Sequence, residues 1–293
     1  MVRIPSRRRY ELVMPLGTFK SALMGAAGSG GFSATGGTIT TSGDYTIHTF
    51  TSSGDFVVSG SGEVEYMVVA GGGGGGTQWG KSGGGGAGGY RTGTGFAVTA
   101  QTYSITVGAG GSGAGTGNDS VFSTITSSGG GAGGSSGAGG DGGSGGGAGN
   151  QSTSYGAGNS GSYSPVEGYR GAVGNQSGSD GLGNFRYFGG GGGGSSEYGG
   201  SNNEGAGQNA PMYSGTKRDL GGDGTSNSIS GSAVTYAYGG NATGWIPHRG
   251  WPEGGSAYLT TGPANSGSGG GGRDFGNTYG GGSGIVIIKY STA

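Results

Sequence analysis

The chain has 293 residues, of which 87 are glycine, while hydrophobic types supply 29% and charged types 10%. Average glycine usage is roughly 7%, and a glycine inside a helix costs about 1 kcal/mol relative to alanine, so a mostly helical fold around one conventional core is excluded. The formal net charge is -1 and cysteine is absent. Nothing therefore suggests a nucleic-acid or membrane-surface partner, and disulfides and thiolate metal sites are excluded.

Residues 1–34 hold four of the fourteen Lys and Arg residues, Arg3, Arg7, Arg8 and Arg9, with a short helix expected after Thr18. Thr18 would cap it, Phe19, Ala22 and Leu23 would form its apolar face, and Gly25 would end it. A docking arm and a solvated tail both account for the arginines. The opening MVRIPSRRRY lacks the apolar stretch of a secretory signal, and no apolar run approaches the ~18 residues of a membrane span.

From Thr38 to Thr126 the sequence alternates as strands do, through Tyr45-Ile47-Thr49, Phe56 to Ser59, Val64 to Val69, Tyr103-Ile105-Val107 and Val121 to Ile125. Ser42-Gly43-Asp44, Ser53-Gly54-Asp55 and Gly60-Ser61-Gly62 sit where hairpins would reverse. The last strand is expected at 284–290, GIVIIKY, returning to the same sheet. The expected fold is mainly β with little α-helix: an antiparallel β-sandwich-like framework over residues ~36–128 plus strand 284–290. The expected units are 1–34, then 35–128 with 284–293, and between them 129–283 as a glycine-rich insertion with long loops.

Positions 131, 134, 137, 140, 143, 146 and 149 are all glycine, while the next register carries Ala132, Ser135, Ala138, Asp141 and Ser144. A second block, 71 to 89, repeats the pattern with Thr77 as its one exception. Three residues per turn is the repeat of polyproline-II geometry, and at a rise of about 3.1 Å the first block would span roughly 60 Å if straight. Such helices have no internal hydrogen bonds, so they would pack side by side as a polyglycine-II bundle; the alternative is a disordered Gly/Ser linker, which the abundant aromatic residues and the strand after the last run disfavour. On this reading Gly140 tolerates no side chain and Ser144 lies in the tolerant register. Collagen is excluded because there are only 7 prolines.

Gly75, Gly80, Lys81 and Ser82 satisfy the phosphate-loop pattern G-x-x-x-x-G-K-S, but the SGGGGAGG that follows cannot form the helix a phosphate needs. Ala114 to Phe122 departs from a calcium-binding nonapeptide only at its first position, with Asp119 as would-be ligand, yet it occurs once where such sites need stacked repeats. His48 lies within a strand pattern and His248 in a loop, and neither is tied to a nucleophile or a carboxylate pair. The sequence thus calls for no catalytic set, no metal and no cofactor. Its most informative non-repeating segment is 241–253, NATGWIPHRGWPE, which places Trp245 and Trp251 beside His248 and Arg249. Trp and Arg are typical interface anchors, and exposed rings suit sugars. Tyr187 and Tyr213, set among Gly and Asn turns, are further contact candidates.

The succession IHTFTSSGDFVVSGSGEVEYMVVAGGGGGG, GGYRTG, TYSITVGAGG, GNDSVFSTITSSGGGAGG and GSGIVIIKY resembles glycine-rich domains of bacteriophage tail-fibre and adhesin proteins, over residues 36 to 293. The resemblance implies a β-rich framework carrying packed polyglycine-II helices, with variable loops making host contacts and no catalytic residues. The expectation is a virion attachment protein, made in the host cytoplasm and acting outside it. Its partners would be other tail or fibre proteins and a host polysaccharide or outer-membrane protein, with a homo-oligomer as a further option. Arg3, Arg7, Arg8, Arg9, Phe19 and Leu23 would dock it to the particle. Trp245, His248, Arg249, Trp251, Tyr187 and Tyr213 would meet the receptor. The alternatives are a purely structural fibre or virion decoration and an extracellular glycine-rich matrix protein.

Overall fold

A computed structural model describes residues 31–150, 152–177, 186–200, 220–245, 260–273 and 276–292. The helix expected after Thr18 lies outside them. The described residues contain strands, turns and glycine runs and no helix. One antiparallel sheet runs in the order β1 (Ser33–Thr35), β4 (Gly54–Ser59), β7 (Thr102–Thr106), β8 (Ser120–Phe122) and β9 (Ile125–Ser127). A second runs β2 (Thr38–Ser42), β3 (Tyr45–Phe50), β15 (Ile285–Ser291), β5 (Ser61–Val69) and β6 (Tyr90–Thr99). The C-terminal strand therefore returns to the framework, as the sequence implies, and takes its centre.

The core between the sheets joins Phe56 and Phe122 of the first to Val64, Val68, Val286 and Ile288 of the second. Each such side chain contributes about 1.5–3 kcal/mol when fully buried. The second sheet also buries its other face, where Ile47, Met67, Val69, Ile285 and Ile287 pack against Ile229, Tyr236 and Ala87. Ile229 and Tyr236 belong to the hairpin of β12 (Thr225–Asn227) and β13 (Val234–Tyr236). A central strand covered on both sides has no polar face, which is why GIVIIKY does not alternate.

Three local expectations are corrected. The turns at Ser53–Asp55 and Gly60–Gly62 join strands of different sheets, because β4 sits between β1 and β7 while β3 and β5 flank β15. They are crossovers, not hairpins; only Gly43, at φ 57°, serves a hairpin, between β2 and β3. The stretch Val121 to Ile125 is two strands folded about Ser123, whose φ of 54° reverses the chain between Phe122 and Ile125. Strand β6 interleaves Gly93 and Gly95 with Tyr90, Phe96 and Val98, which hides its alternation.

The glycine runs continue the strands. Val69 pairs with Tyr90 in the β5–β6 ladder, and beyond it Ala70, Gly73 and Gly76 donate N–H to Gly89, Gly86 and Gly83. On the other side Ile285 pairs with Val69, and Gly72 and Gly75 then donate to Gly282 and Tyr279. Gly71 and Gly74 turn to a third neighbour, at Asn118 and Gly115. The pairing period thus changes from two to three at the end of β5, and a strand with two neighbours becomes a run with three. Run 83–89 behaves alike: Gly83, Gly86 and Gly89 donate to Gly134, Gly131 and Ser128, Gly84 and Ala87 to Gly190 and Gly193, and Gly85 and Gly88 to Gly270 and Gly267. Along both runs the hydrogen-bond partner changes with a period of three residues.

The 131–149 block is not one straight rod. Bends at 135–137 and 142–144 divide it. Gly131 and Gly134 donate to Ser144 and Gly147, and Gly146 and Gly149 donate to Gly140 and Gly137, so its pieces lie side by side. Space for a side chain follows position in this packing rather than register. A Cβ on Gly146 would come closer than 3.0 Å to the backbone of Ala132 and one on Gly139, outside the all-glycine register, would meet Gly146, whereas one on Gly137 meets nothing within 4 Å. Gly140 has 3.1 Å to Ala132 N, and Ser144 is fully buried with its Oγ donating to Gly194 O at 3.1 Å. The expected contrast between Gly140 and Ser144 is therefore replaced by one between Gly146 and Gly137. Gly146→Ala should lose about 3 kcal/mol, lowering Tm by roughly 6–12 °C, while Gly137→Ala stays within about 0.5 kcal/mol of the parent. Equal thermal losses in calorimetry would remove the steric account.

Candidate functional site

Chain direction shows which end of the glycine runs lies away from the sandwich. Run 71–76 leaves β5 and run 83–89 enters β6, so the 77–82 turn between them is at the far end. Gly130 and Gly133 donate to Gly71 and Gly74 in parallel, and Gly240 and Thr243 donate to Gly85 and Ser82 in antiparallel order. The runs ending near Gly134 and Thr243 therefore also travel to that far end. There the lattice passes back into strands. Phe188 pairs with Gly244, and the same register continues as Gly189 to Thr243 and Gly192 to Gly240. The strands are β10 (Asn175–Ser177), β11 (Arg186–Phe188) and β14 (Gly244–Trp245), in one small antiparallel sheet.

Two of the sequence-derived contact residues meet in this sheet: the backbones of Tyr187 and Trp245 are direct cross-strand partners. Phe188, beside Tyr187, is buried. Sequence reasoning missed Trp79, which stands in the 77–82 turn and is 46% exposed. That turn is tied to the chain before β14, since Ser82 N donates to Thr243 Oγ1 and Thr243 N donates to Ser82 O, both at 3.0 Å. A large ring where two glycine runs reverse was the available signal. His248, Arg249, Trp251 and Tyr213, like Arg3, Arg7, Arg8, Arg9, Phe19 and Leu23, lie outside the described residues.

A second aromatic group stands on the flank. The Arg170 guanidinium lies over the rings of Tyr155 at 4.5 Å and Tyr198 at 4.9 Å, and Tyr169 meets Tyr198 edge-on at 5.0 Å. These residues come from neighbouring runs, because Gly171 donates to Gly156 and Gly199 donates to Arg170. Adjacent backbones without intervening side chains bring the rings to stacking distance. Tyr155 and Tyr198 are half-exposed, and such a group can stack on apolar ring faces and hydrogen-bond to hydroxyls.

The motif-like segments have other uses. After Ser82 the amides of Gly83, Gly86 and Gly89 are spent on neighbouring carbonyls, and no helix follows to hold a phosphate. Asp119 Oδ1 accepts the Gly129 amide at 2.8 Å, bracing the start of a glycine run. His48 is fully buried in the sandwich core, with Nδ1 donating to Gly36 O at 2.8 Å and Nε2 accepting from the Tyr290 hydroxyl at 3.4 Å. It clamps the Gly36-Gly37 turn, where φ is 115° and 62°, onto the core.

The chain belongs to the glycine-rich domain family, whose model matches residues 49–291, from the end of β3 to the end of β15. No curated protein is significantly similar to it.

Burial lowers the pKa of His48 below its ordinary 6.5, the Gly36 hydrogen bond opposing only in part. Unfolded chains then bind the proton more readily than folded ones as the pH falls. Stability is complete above pH ~6.5 and declines as pH drops through that value toward the folded pKa, by up to about 1.4 kcal/mol per unit. Thermal melts between pH 7.5 and 5.5 should show this loss, and His48→Phe, less stable at pH 7.5, should flatten it. An unchanged slope in the variant would move the dependence to another group.

Proposed function

We propose that the protein is a non-enzymatic attachment protein of a virus particle, a bacteriophage tail-fibre or fibre-tip adhesin, and that its glycine runs are packed polyglycine-II helices serving as a rigid stalk. The observation that carries this reading is the arrangement of Trp79, Tyr187 and Trp245 at the end of the lattice remote from the sandwich. A lattice that excludes side chains from its interior leaves recognition to its flanks and to the turns and strands at its ends, and the largest rings stand at the far end. Trp and Tyr there supply large contact area at low entropic cost, as in binding hot spots. The resemblance to tail-fibre and adhesin domains supports the same reading. The sandwich end and the arginine-rich segment 1–34 would face the particle, and the far end would face a host polysaccharide or outer-membrane protein.

The test is adsorption. A Trp245→Ala, Trp251→Ala double variant should keep its melting temperature and its incorporation into particles while adsorption to host cells falls at least about tenfold, equivalent to ~1.4 kcal/mol of contact energy. Trp79→Ala should act in the same direction. Loss of folding would make the rings structural cover. Normal adsorption by all these variants would overturn the placement of the contact surface at this end.

A further inference from the structure

The far end of the lattice holds an arginine whose donors are not all spent. Run 268–273 travels to that end beside run 71–76, since Gly270 and Arg273 donate N–H to Gly73 and Gly76. Arg273 closes over the 77–82 turn: its Nη1 donates to Thr77 O at 3.0 Å, and its carbonyl accepts the Gly80 amide at 3.3 Å. Its Nε is buried and has no hydrogen-bond partner, although the residue as a whole is partly exposed. Among the described residues it makes no ion pair. Buried donors in folded chains almost always have an acceptor, and a positive charge makes the lack of one costlier.

We propose that Arg273 and Trp79 form a subsite for an acidic sugar, a single ring bearing a carboxylate or phosphate oxyanion. This names a ligand class for the attachment surface and rests on that reading for its biological meaning.

With Nη1 held by Thr77, the guanidinium keeps the edge formed by Nε and Nη2. A carboxylate or phosphate accepts two parallel N–H bonds from such an edge, whereas a neutral hydroxyl answers only one donor and brings no charge. Trp79, 46% exposed, precedes Gly80, whose amide is bonded to Arg273 O, so the indole and the guanidinium leave the lattice from adjacent backbone positions. An exposed indole stacks on the C–H face of a pyranose while the arginine takes its anionic group. Lys81 adds a second positive charge to the same turn. The backbone beneath is braced, since Arg273 N donates to Gly76 O and Thr77 N to Ser135 Oγ, both at 3.0 Å. Binding therefore asks only for a shift of the arginine side chain toward the surface, with no loop to order.

The experiment uses the purified full-length protein, labelled with nitrogen-15, and follows the arginine Nε–H resonances by NMR. Glucuronate, galacturonate and glucose 6-phosphate are set against glucose and galactose, up to about 20 mM, the range of millimolar affinities. At least one acid should move the Arg273 Nε–H resonance and bind at least tenfold more tightly than its neutral counterpart, the preference shrinking as salt rises. A response to the uronates alone assigns a carboxylate, and a response to the phosphate ester alone assigns a phosphorylated sugar. Arg273→Lys, which keeps the charge and loses the fork, should weaken binding at least tenfold, as should Trp79→Ala, both with Tm unchanged. If Arg273→Lys does not fold, the resonance shift in the parent still decides. No binding by any acid, equal binding of the neutral sugars, shifts confined to other arginines, or undiminished binding by either folded variant would overturn the proposal. So would acetate or inorganic phosphate binding as tightly as the acidic sugars. Because sugar binding is read on the free protein and adsorption on particles carrying the Trp245 and Trp251 substitutions, the two readings fail separately.

Discussion

Backbone meeting backbone with no Cβ between is the constraint on which the structure depends. Ordering a glycine costs on the order of 1–2 kcal/mol of chain entropy, and glycine returns almost no buried side chain. What offsets it here are lateral N–H···O bonds, each contributing about 0.5–1.5 kcal/mol net, together with the close contacts that glycine alone permits. Removing Cβ at Gly73, Gly84, Gly85 and Gly147 lets carbonyls of neighbouring runs approach closer than any real Cβ would allow. Side chains enter only where the packing leaves a hole, as at Ala87 beneath the second sheet or Ser144 beside Gly194.

That lattice does not start itself. Each outgoing run inherits its register from a strand held by conventional apolar packing: run 71–76 from β5, with β6 and β15 delivering its two flanking partners already aligned. The sandwich thus acts as a template. Its second sheet is covered on one face by Phe56 and Phe122 and on the other by Ile229 and Tyr236, so the template is fixed from both sides. At the far end β11 and β14 take the register over again, which terminates the lattice in an ordinary sheet.

A consequence for function is that chemistry is displaced outward. The interior admits almost no side chain, so aromatic and charged groups collect at the reversals and along the flanks, where the spacing of bare backbones sets the spacing of the rings. The Tyr155–Arg170–Tyr198 stack is one product of this geometry, and Trp79 in its turn is another.

The alternation of Tyr45 to Thr49, Phe56 to Ser59 and Val64 to Val69 made the framework strands legible, and the continuous GIVIIKY marked a strand buried on both faces. Turn residues did not reveal which turns cross between sheets, because Ser-Gly-Asp suits a hairpin and a crossover equally well. The three-residue glycine period announced a backbone lattice, yet it gave neither the bends at 135–137 and 142–144 nor the burial of Ser144. Trp245 was visible as a candidate; its pairing with Tyr187 was not. By itself the sequence determined where side chains are absent and that the apolar framework segments are strands, since both are local properties of residue type, whereas β6 and the short strands β10 to β14 carry no such pattern. Only the tertiary structure decided which run meets which and what stands at each end. A glycine N–H can bond any carbonyl, so the choice of partner is carried by the strands that feed the runs.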